Sequence, residues 1–248
     1  MTKISRKASR RGLIGGIGAI GLGSLVACSS DGDPVPSDAV TTADGGANSS
    51  ESTPASASEA WDRLMEGNAR WAAGESEHPG GGVALREELA GGQAPWAIVF
   101  GCVDSRVSPQ YVFDTGNGDL MTVRTAGSTF DPLVAESVAY GPYALETPLV
   151  VVLGHQHCGA VTHTAHALGH TDEPDDFDQI TAALTPSYET VEGTTDSEDE
   201  LVEAMIRANV LYTVEQLAQA PEFEGPLANG LEIVGAYYSL DTGEVERL

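Results

Sequence analysis

Two short segments hold most of the residue types that could do chemistry. Cys102-Val103-Asp104-Ser105-Arg106 follows the apolar run Trp96-Ala97-Ile98-Val99-Phe100, and Gly154-His155-Gln156-His157-Cys158-Gly159 ends the run Leu149-Val150-Val151-Val152-Leu153. Each run is short, rich in β-branched residues and bounded by Gly or Pro, which predicts a buried strand. Two thiols and an imidazole are thereby delivered at the carboxyl ends of two strands, where open α/β sheets place their ligand sites. Cys102, His155 and Cys158 without a fourth protein donor match the composition of a catalytic zinc centre, which keeps one position open for water. Asp104 stands two residues from Cys102, so in extended backbone its side chain points the same way. A Cys102–Cys158 disulfide is the competing reading for an exported chain.

The elements that must carry these groups alternate along the chain. Residues 60–72 predict an amphipathic helix with Trp61, Leu64, Met65 and Trp71 available for packing, and 97–101 and 120–124 predict strands. Asp131-Pro132 predicts an N-cap followed by Pro at the first helical position, with the helix running to about residue 145. Pro148 opens the strand that ends at His155. Residues 160–168 and 201–218 predict helices, and 231–240 a strand that closes the sheet. The acidic stretch 169–200 is too long for a tight turn and predicts a helix with a loop decorating the domain. Strands alternating with helices imply an α/β fold with a mostly parallel sheet covered by helices.

The two chemical segments and their flanks carry a family resemblance. Cys102-x-Asp104-Ser105-Arg106-Val107 and His155-x-x-Cys158-Gly159-Ala160 resemble the two zinc motifs of the β-class carbonic anhydrases. Leu64-Met65-Glu66-Gly67-Asn68-Ala69-Arg70-Trp71 resembles that family's N-terminal helix, Gly92-Gln93-Ala94-Pro95 its pre-strand segment, and Val234-Gly235-Ala236-Tyr237-Tyr238 its last strand. The resemblance covers roughly residues 59–248. It implies one Zn²⁺ per chain, held by Cys102, His155 and Cys158, and reversible hydration of carbon dioxide to bicarbonate and a proton by a zinc-bound hydroxide. Asp104 would orient the nucleophile and, in a closed state known in some members, become the fourth ligand. Arg106 would hold Asp104 by a bidentate pair, and Gln93 would donate to a substrate oxygen. The resemblance also implies a homodimer or a multiple of dimers, with the N-terminal helix as an arm over the partner. Two readings compete: hydrolysis of carbonyl sulfide or carbon disulfide on the same scaffold, and a non-catalytic zinc-binding surface lipoprotein.

Two departures from the family pattern stand out. Its Arg-Asn-Ala-Gly segment is Arg124-Thr125-Ala126-Gly127 here, which changes the hydrogen bonds open to that loop. Members regulated by non-catalytic bicarbonate carry Trp three residues before the first ligand, where this chain has Val99. Among the remaining histidines, His163, His166 and His170 have helical spacing and read as solvated helix residues or a proton relay. His157 and His78 read as exposed or structural.

The ends and the charge suggest a location. Ser9-Arg10-Arg11-Gly12-Leu13 resembles a twin-arginine export signal. A glycine-rich apolar stretch follows, too short for a confident transmembrane helix. Leu25-Val26-Ala27-Cys28 resembles a lipobox, which makes 1–27 a signal peptide and Cys28 the lipidated N-terminus. A plain membrane anchor or an ordinary cleavable signal is the alternative. Residues 28–58, nearly free of large apolar side chains, predict a disordered tether ahead of a catalytic domain at 59–248. The expected location is the outer face of the cell membrane, reached through the lipid. The chain has 37 acidic and 12 basic residues; five of the basic ones, both lysines among them, lie within the first 27, which hold no acid. The remainder therefore carries 37 acidic against 7 basic residues, a net charge of −30 with no lysine. Such a surface disfavours nucleic acid as a partner and suits high salt, where the Debye length contracts to about 3 Å at 1 M.

Overall fold

The computed structural model describes residues 53–170, 172 and 174–248. The expected signal, Cys28 and residues 28–52 of the expected tether lie outside the described residues. A five-stranded sheet in the order β2-β1-β3-β4-β5 forms the centre: β1 (Ala97–Cys102), β2 (Leu120–Thr125), β3 (Leu149–His155), β4 (Glu232–Tyr238) and β5 (Val245–Arg247). The pairs β1–β2, β1–β3 and β3–β4 are parallel and β4–β5 is antiparallel. The expected strand at 231–240 is therefore β4 and does not close the sheet. The chain turns back after Tyr238, and β5 covers that edge. The rest of the α/β expectation holds, and β1 and β3, read as continuous apolar runs, are buried along their whole lengths, as parallel strands covered on both faces must be.

Helices cover both faces. The N-terminal helix α1 (Ala57–Ala73) sends Ala57, Ala60 and Leu64 into one core layer, against Ala97 and Val99 of β1 and Leu149 and Val151 of β3. It begins inside the range read as tether because Ser56 caps it, its side chain accepting from the Glu59 N–H. Two further short helices follow, α2 (Val83–Leu89) and α3 (Pro109–Val112). On the other face, Val134 and Val138 of α4 (Pro132–Ala144) and Val210 and Leu217 of α7 (Glu198–Gln219) pack on Ile98, Phe100, Val150 and Val152. The expected cap at Asp131 is present, accepting from the Val134 N–H at 2.8 Å.

The region after β3 departs most from expectation. α5 (Gly159–Gly169) matches the predicted helix, but α6 (Asp178–Val191) is not decoration. Its Leu184 is fully buried in the cluster that contains Cys102 and Cys158. α7 starts at Glu198 rather than 201 because Ser197 caps it, accepting from the Glu200 N–H. Glu198, Asp199 and Glu200 occupy its first turn, where carboxylates favour the positive end of a helix. The short α8 (Glu224–Ala228) precedes β4. Among the described residues, no helix is long and apolar enough to cross a membrane.

Candidate metal centre

Strand order explains why two distant motifs meet. The chain passes from β1 to β2 on one side, then crosses to β3 on the other side of β1. The crevice between the carboxyl ends of β1 and β3 is thus the topological switch point of the sheet, where ligands bind in open α/β folds. The register Gly101↔Leu153 brings both strands out together, so their last residues, Cys102 and His155, emerge at the same end of the sheet. Cys158 then lies at the N-cap position of α5. Gly154 allows the close approach: a Cβ there would lie 2.5 Å from Val210 Cγ2 and 3.2 Å from Ile206 Cγ2, so any other residue would push α7 off the strand end.

The structure brings Cys102, His155 and Cys158 together, all three buried, with their donor atoms within 4.8 Å of one another. The two cysteines are free, with their sulfurs 3.9 Å apart, so the disulfide reading does not describe this site. A tetrahedral zinc with Zn–S near 2.3 Å places two sulfurs about 3.8 Å apart, which the pair matches. His155 Nδ1 lies 2.9 Å from the Gln156 carbonyl, so Nδ1 carries the proton and donates it there. Its Nε2 is left with an open lone pair and no hydrogen-bond partner, though fully buried. A buried orphan acceptor beside two thiols is costly in a closed apolar core and fits a metal ligand. Hydrogen bonding from Cys158 holds the Cys102 thiol far below the ordinary range against the opposing effect of burial, with help from the backbone N–H groups of Gly127 and Asp104. Cys158 is pushed up by its bond to Cys102 and by burial, while the N–H groups of Ala160 and Val161 in the first turn of α5 work the other way. Metal binding needs both thiolates, and these N–H groups point at the charge that would develop.

Asp104 and Arg106 pair as expected. Arg106 Nε donates to Asp104 Oδ1 at 3.0 Å and Nη2 to Oδ2 at 2.8 Å, while the Arg106 backbone N–H also donates to Oδ1 at 2.9 Å. These bonds hold the Asp104 carboxyl down to about 2, mainly through the guanidinium and against partial burial. Asp104 Oδ2 lies 3.9 Å from His155 Nε2. The carboxylate is therefore beside the donor set, held by Arg106, and not among the three converging donors. Gln93 is exposed in the loop before β1 and does not line the small pocket around the donors, which is walled by Gly127, Ser128, Gly154, Val161, Ile206 and Asn209. The four other helical or loop histidines lie apart from that pocket: His163 pairs with Asp175 at 2.9 Å, His166 and His170 stack on each other, and His78 meets the Tyr111 ring edge-on.

Three supporting residues escaped sequence reasoning. Arg124 donates from Nε to the Cys102 carbonyl at 2.7 Å and from Nη2 to the carbonyls of Asp104 at 2.6 Å and Val107 at 2.9 Å, tying down the backbone of the first motif. Asn209 on α7 donates to the Gly127 carbonyl at 2.8 Å, and the Gly127 N–H donates to Cys102 Sγ at 3.3 Å. Glu203 accepts from the His157 N–H at 3.0 Å. Only Arg124 stood in a recognisable segment, and nothing in the pattern of α7 singled out Asn209 or Glu203. Thr125 resolves one departure: its hydroxyl donates to the Thr129 carbonyl at 2.8 Å, so the loop keeps a local bond without Asn. Val99 is a fully buried core residue.

A mostly parallel sheet with a Cys₂His donor set at its switch point defines an α/β protein with a candidate metal centre. Comparison with known proteins is specific. Residues 97–245 match the family model described as carbonic anhydrase. A carbonic anhydrase of Mycolicibacterium smegmatis is 40% identical over 188 residues, 75% of this chain and 91% of that protein. Carbonic anhydrase 2 of Mycobacterium tuberculosis is 40% identical over 187 residues, covering 74% and 89%. Among solved structures, the β-carbonic anhydrase CafA of Aspergillus fumigatus superposes with a TM-score of 0.61 at 29% identity, over 76% of this chain and 90% of that one. The β-carbonic anhydrase CcaA gives 0.59 at 26%, over 75% and 94%. The chain belongs to the carbonic anhydrase family, in its β class.

Proposed function

We propose that this chain catalyses the reversible hydration of carbon dioxide to bicarbonate and a proton at one zinc ion held by Cys102, His155 and Cys158. The observation that carries the assignment is the convergence of these three buried donors, with Asp104 locked beside them by Arg106. Bound there, zinc would supply the Lewis acidity that lowers the pKa of a water from about 15.7 towards 7. The protein supplies the rest. His155 is fixed in one tautomer and orientation by the Gln156 carbonyl, an outer contact that fixes the ring and raises its basicity. Asp104 accepts the hydrogen bond of the attacking water and so aims a lone pair at the carbon of carbon dioxide. Arg106 keeps the carboxylate charged and turned away from the metal position; when that pair breaks, Asp104 can close the site. The expected donation from Gln93 to a substrate oxygen has no support within this chain, where Gln93 is exposed and outside the donor pocket.

The same reading places the chain in a homodimer or a multiple of dimers. Leu133, Tyr140 and Tyr143 on α4 and Val103 beside the site are exposed and offer apolar surface for a second copy. The order of twin Arg, apolar stretch and Cys28 supports export by the twin-arginine route and anchoring to the outer face of the membrane through lipid on Cys28. The net charge of −30 beyond residue 27, with no lysine, supports adaptation to high salt and disfavours nucleic acid. The deciding experiment measures zinc content and stopped-flow carbon dioxide hydration together. Cys102→Ala and Cys158→Ala are expected to lose both, and Asp104→Asn to keep zinc while losing most of the rate. Full zinc occupancy in Cys158→Ala, or an unchanged rate in Asp104→Asn across neutral pH, would refute the assignment.

A further inference from the structure

The loop between the second and third metal donors is held from outside the site. His157 lies between His155 and Cys158 with φ 53, in the left-handed region that a non-glycine residue occupies only when its surroundings hold it there. Its N–H donates to Glu203 Oε1 at 3.0 Å, and its carbonyl accepts from Arg106 Nη2 at 3.1 Å. That same nitrogen donates its other hydrogen to Asp104 Oδ2 at 2.8 Å. The second oxygen of Glu203 accepts from the Tyr237 hydroxyl on β4. Tyr237 is itself fixed: it is buried, and the guanidinium of Arg207 lies 4.0 Å from its ring centroid and pairs with Glu246 at 2.5 Å. Two runs of hydrogen bonds thus meet at the backbone of His157: the Tyr237 hydroxyl and the His157 N–H both donate to Glu203, and the His157 carbonyl accepts from Arg106, which holds Asp104.

We propose that Glu203 is a positioning residue for Asp104, acting through the backbone of His157 and Arg106. The proposal rests on the role given above to Asp104 and Arg106. A carboxylate makes strong charge-assisted bonds to N–H and O–H donors, and here it joins the strained peptide to the sheet. Without it the His157 N–H loses its acceptor, the left-handed conformation loses its restraint, and the carbonyl turns from Arg106. Arg106 then holds Asp104 with one anchor fewer. Asp104 Oδ2 is already only 3.9 Å from His155 Nε2, so a small movement takes the carboxylate into the open position of the metal centre.

The test loads the protein with Co²⁺ and titrates azide, followed by the visible absorption of the metal, because azide and Asp104 compete for the same open position. Arg106→Ala and Glu203→Ala are each expected to weaken azide binding by about tenfold or more, the scale on which outer contacts act at metal sites, whereas Glu203→Gln, which keeps an acceptor for His157, should stay within about threefold of the parent. In an Asp104→Asn background the Glu203→Ala effect should vanish, which a loss of general packing would not do. If Glu203→Ala does not fold, Glu203→Asp, too short to span both donors, carries the same expectation. Azide affinity that falls in Arg106→Ala but not in the Glu203 variants overturns this proposal alone. So does a Glu203 effect that persists with Asn at 104. Unchanged affinity in Arg106→Ala instead overturns the Asp104–Arg106 reading on which it stands.

Discussion

Asn209→Ala should weaken both the fold and the metal centre, although Asn209 is not a ligand. The side chain is buried, donates to the Gly127 carbonyl at 2.8 Å and accepts from the Ser187 hydroxyl at 3.3 Å. Truncation leaves a buried carbonyl and a buried hydroxyl without those partners. Each orphaned group costs about 1–3 kcal/mol, and the long bond to Ser187 belongs at the lower end. A total of about 2–4 kcal/mol follows. At roughly 2–4 °C per kcal/mol for a domain of this size, the melting temperature should fall by about 4–16 °C. The second effect passes through Gly127, whose φ of 64 and whose N–H bond to Cys102 Sγ at 3.3 Å depend on where its peptide is held. Zinc affinity should fall by about 10–100-fold, as for other outer contacts of metal ligands. Thermal unfolding of the zinc-loaded protein and competition with a chromophoric zinc chelator read the two effects separately. Ser187→Ala is the control: it leaves only the Asn209 Oδ1 acceptor without its long bond, so it should cost about 1 kcal/mol and leave zinc affinity unchanged. An Asn209→Ala protein that melts with the parent and holds zinc equally well would refute the idea that α7 tunes Cys102 through Gly127.

Three further outcomes are expected. The Asp104 carboxyl is depressed to about 2, so the stability from its pairing with Arg106 is complete above its ordinary pKa of about 3.8 and is lost as pH falls through about 2; Arg106→Gln should return its titration, followed by carboxyl-carbon NMR, towards the ordinary range, and no change would refute the pairing as the cause. The domain should melt higher, and associate more, in about 3 M than in about 0.05 M salt, because screening shortens the reach of its carboxylate repulsion while apolar burial persists; equal melting and equal sedimentation at both would remove the high-salt reading. Replacing Arg10 and Arg11 by Lys should leave precursor inside the cell, and Cys28→Ser should release or misprocess the product; normal export of the twin-Lys chain would remove the signal assignment.

The donor set was legible in the sequence because metal chemistry restricts residue type and because a buried parallel strand announces itself as an apolar run. Cys102 and His155 each terminate such a run, so their placement at the carboxyl ends of strands followed from pattern alone. Asp104 and Arg106 were legible for a related reason: their pairing is local, two residues apart, and needs no distant element. Long-range packing lay beyond that reach. The acids at 196–200 read as loop because charge does not distinguish a solvated turn from the first turn of a helix, and the helix expected within 169–200 read as decoration because Pro186 interrupts the apolar pattern by which α6 packs on the donors. The residues that hold the site in place come from those same elements or from distant strands. Arg124 caps three carbonyls of the first motif, Asn209 grips the Gly127 peptide, and Glu203 fixes the left-handed turn at His157. Each is a common polar residue whose role depends on one partner brought near by the crossing of α7 over β3 or by the register of β2 on β1. The sequence by itself determined which atoms can bind a metal. Only the tertiary structure decided which peptides and carboxylates hold them still, because those contacts join residues separated by as many as 82 positions that no local pattern relates.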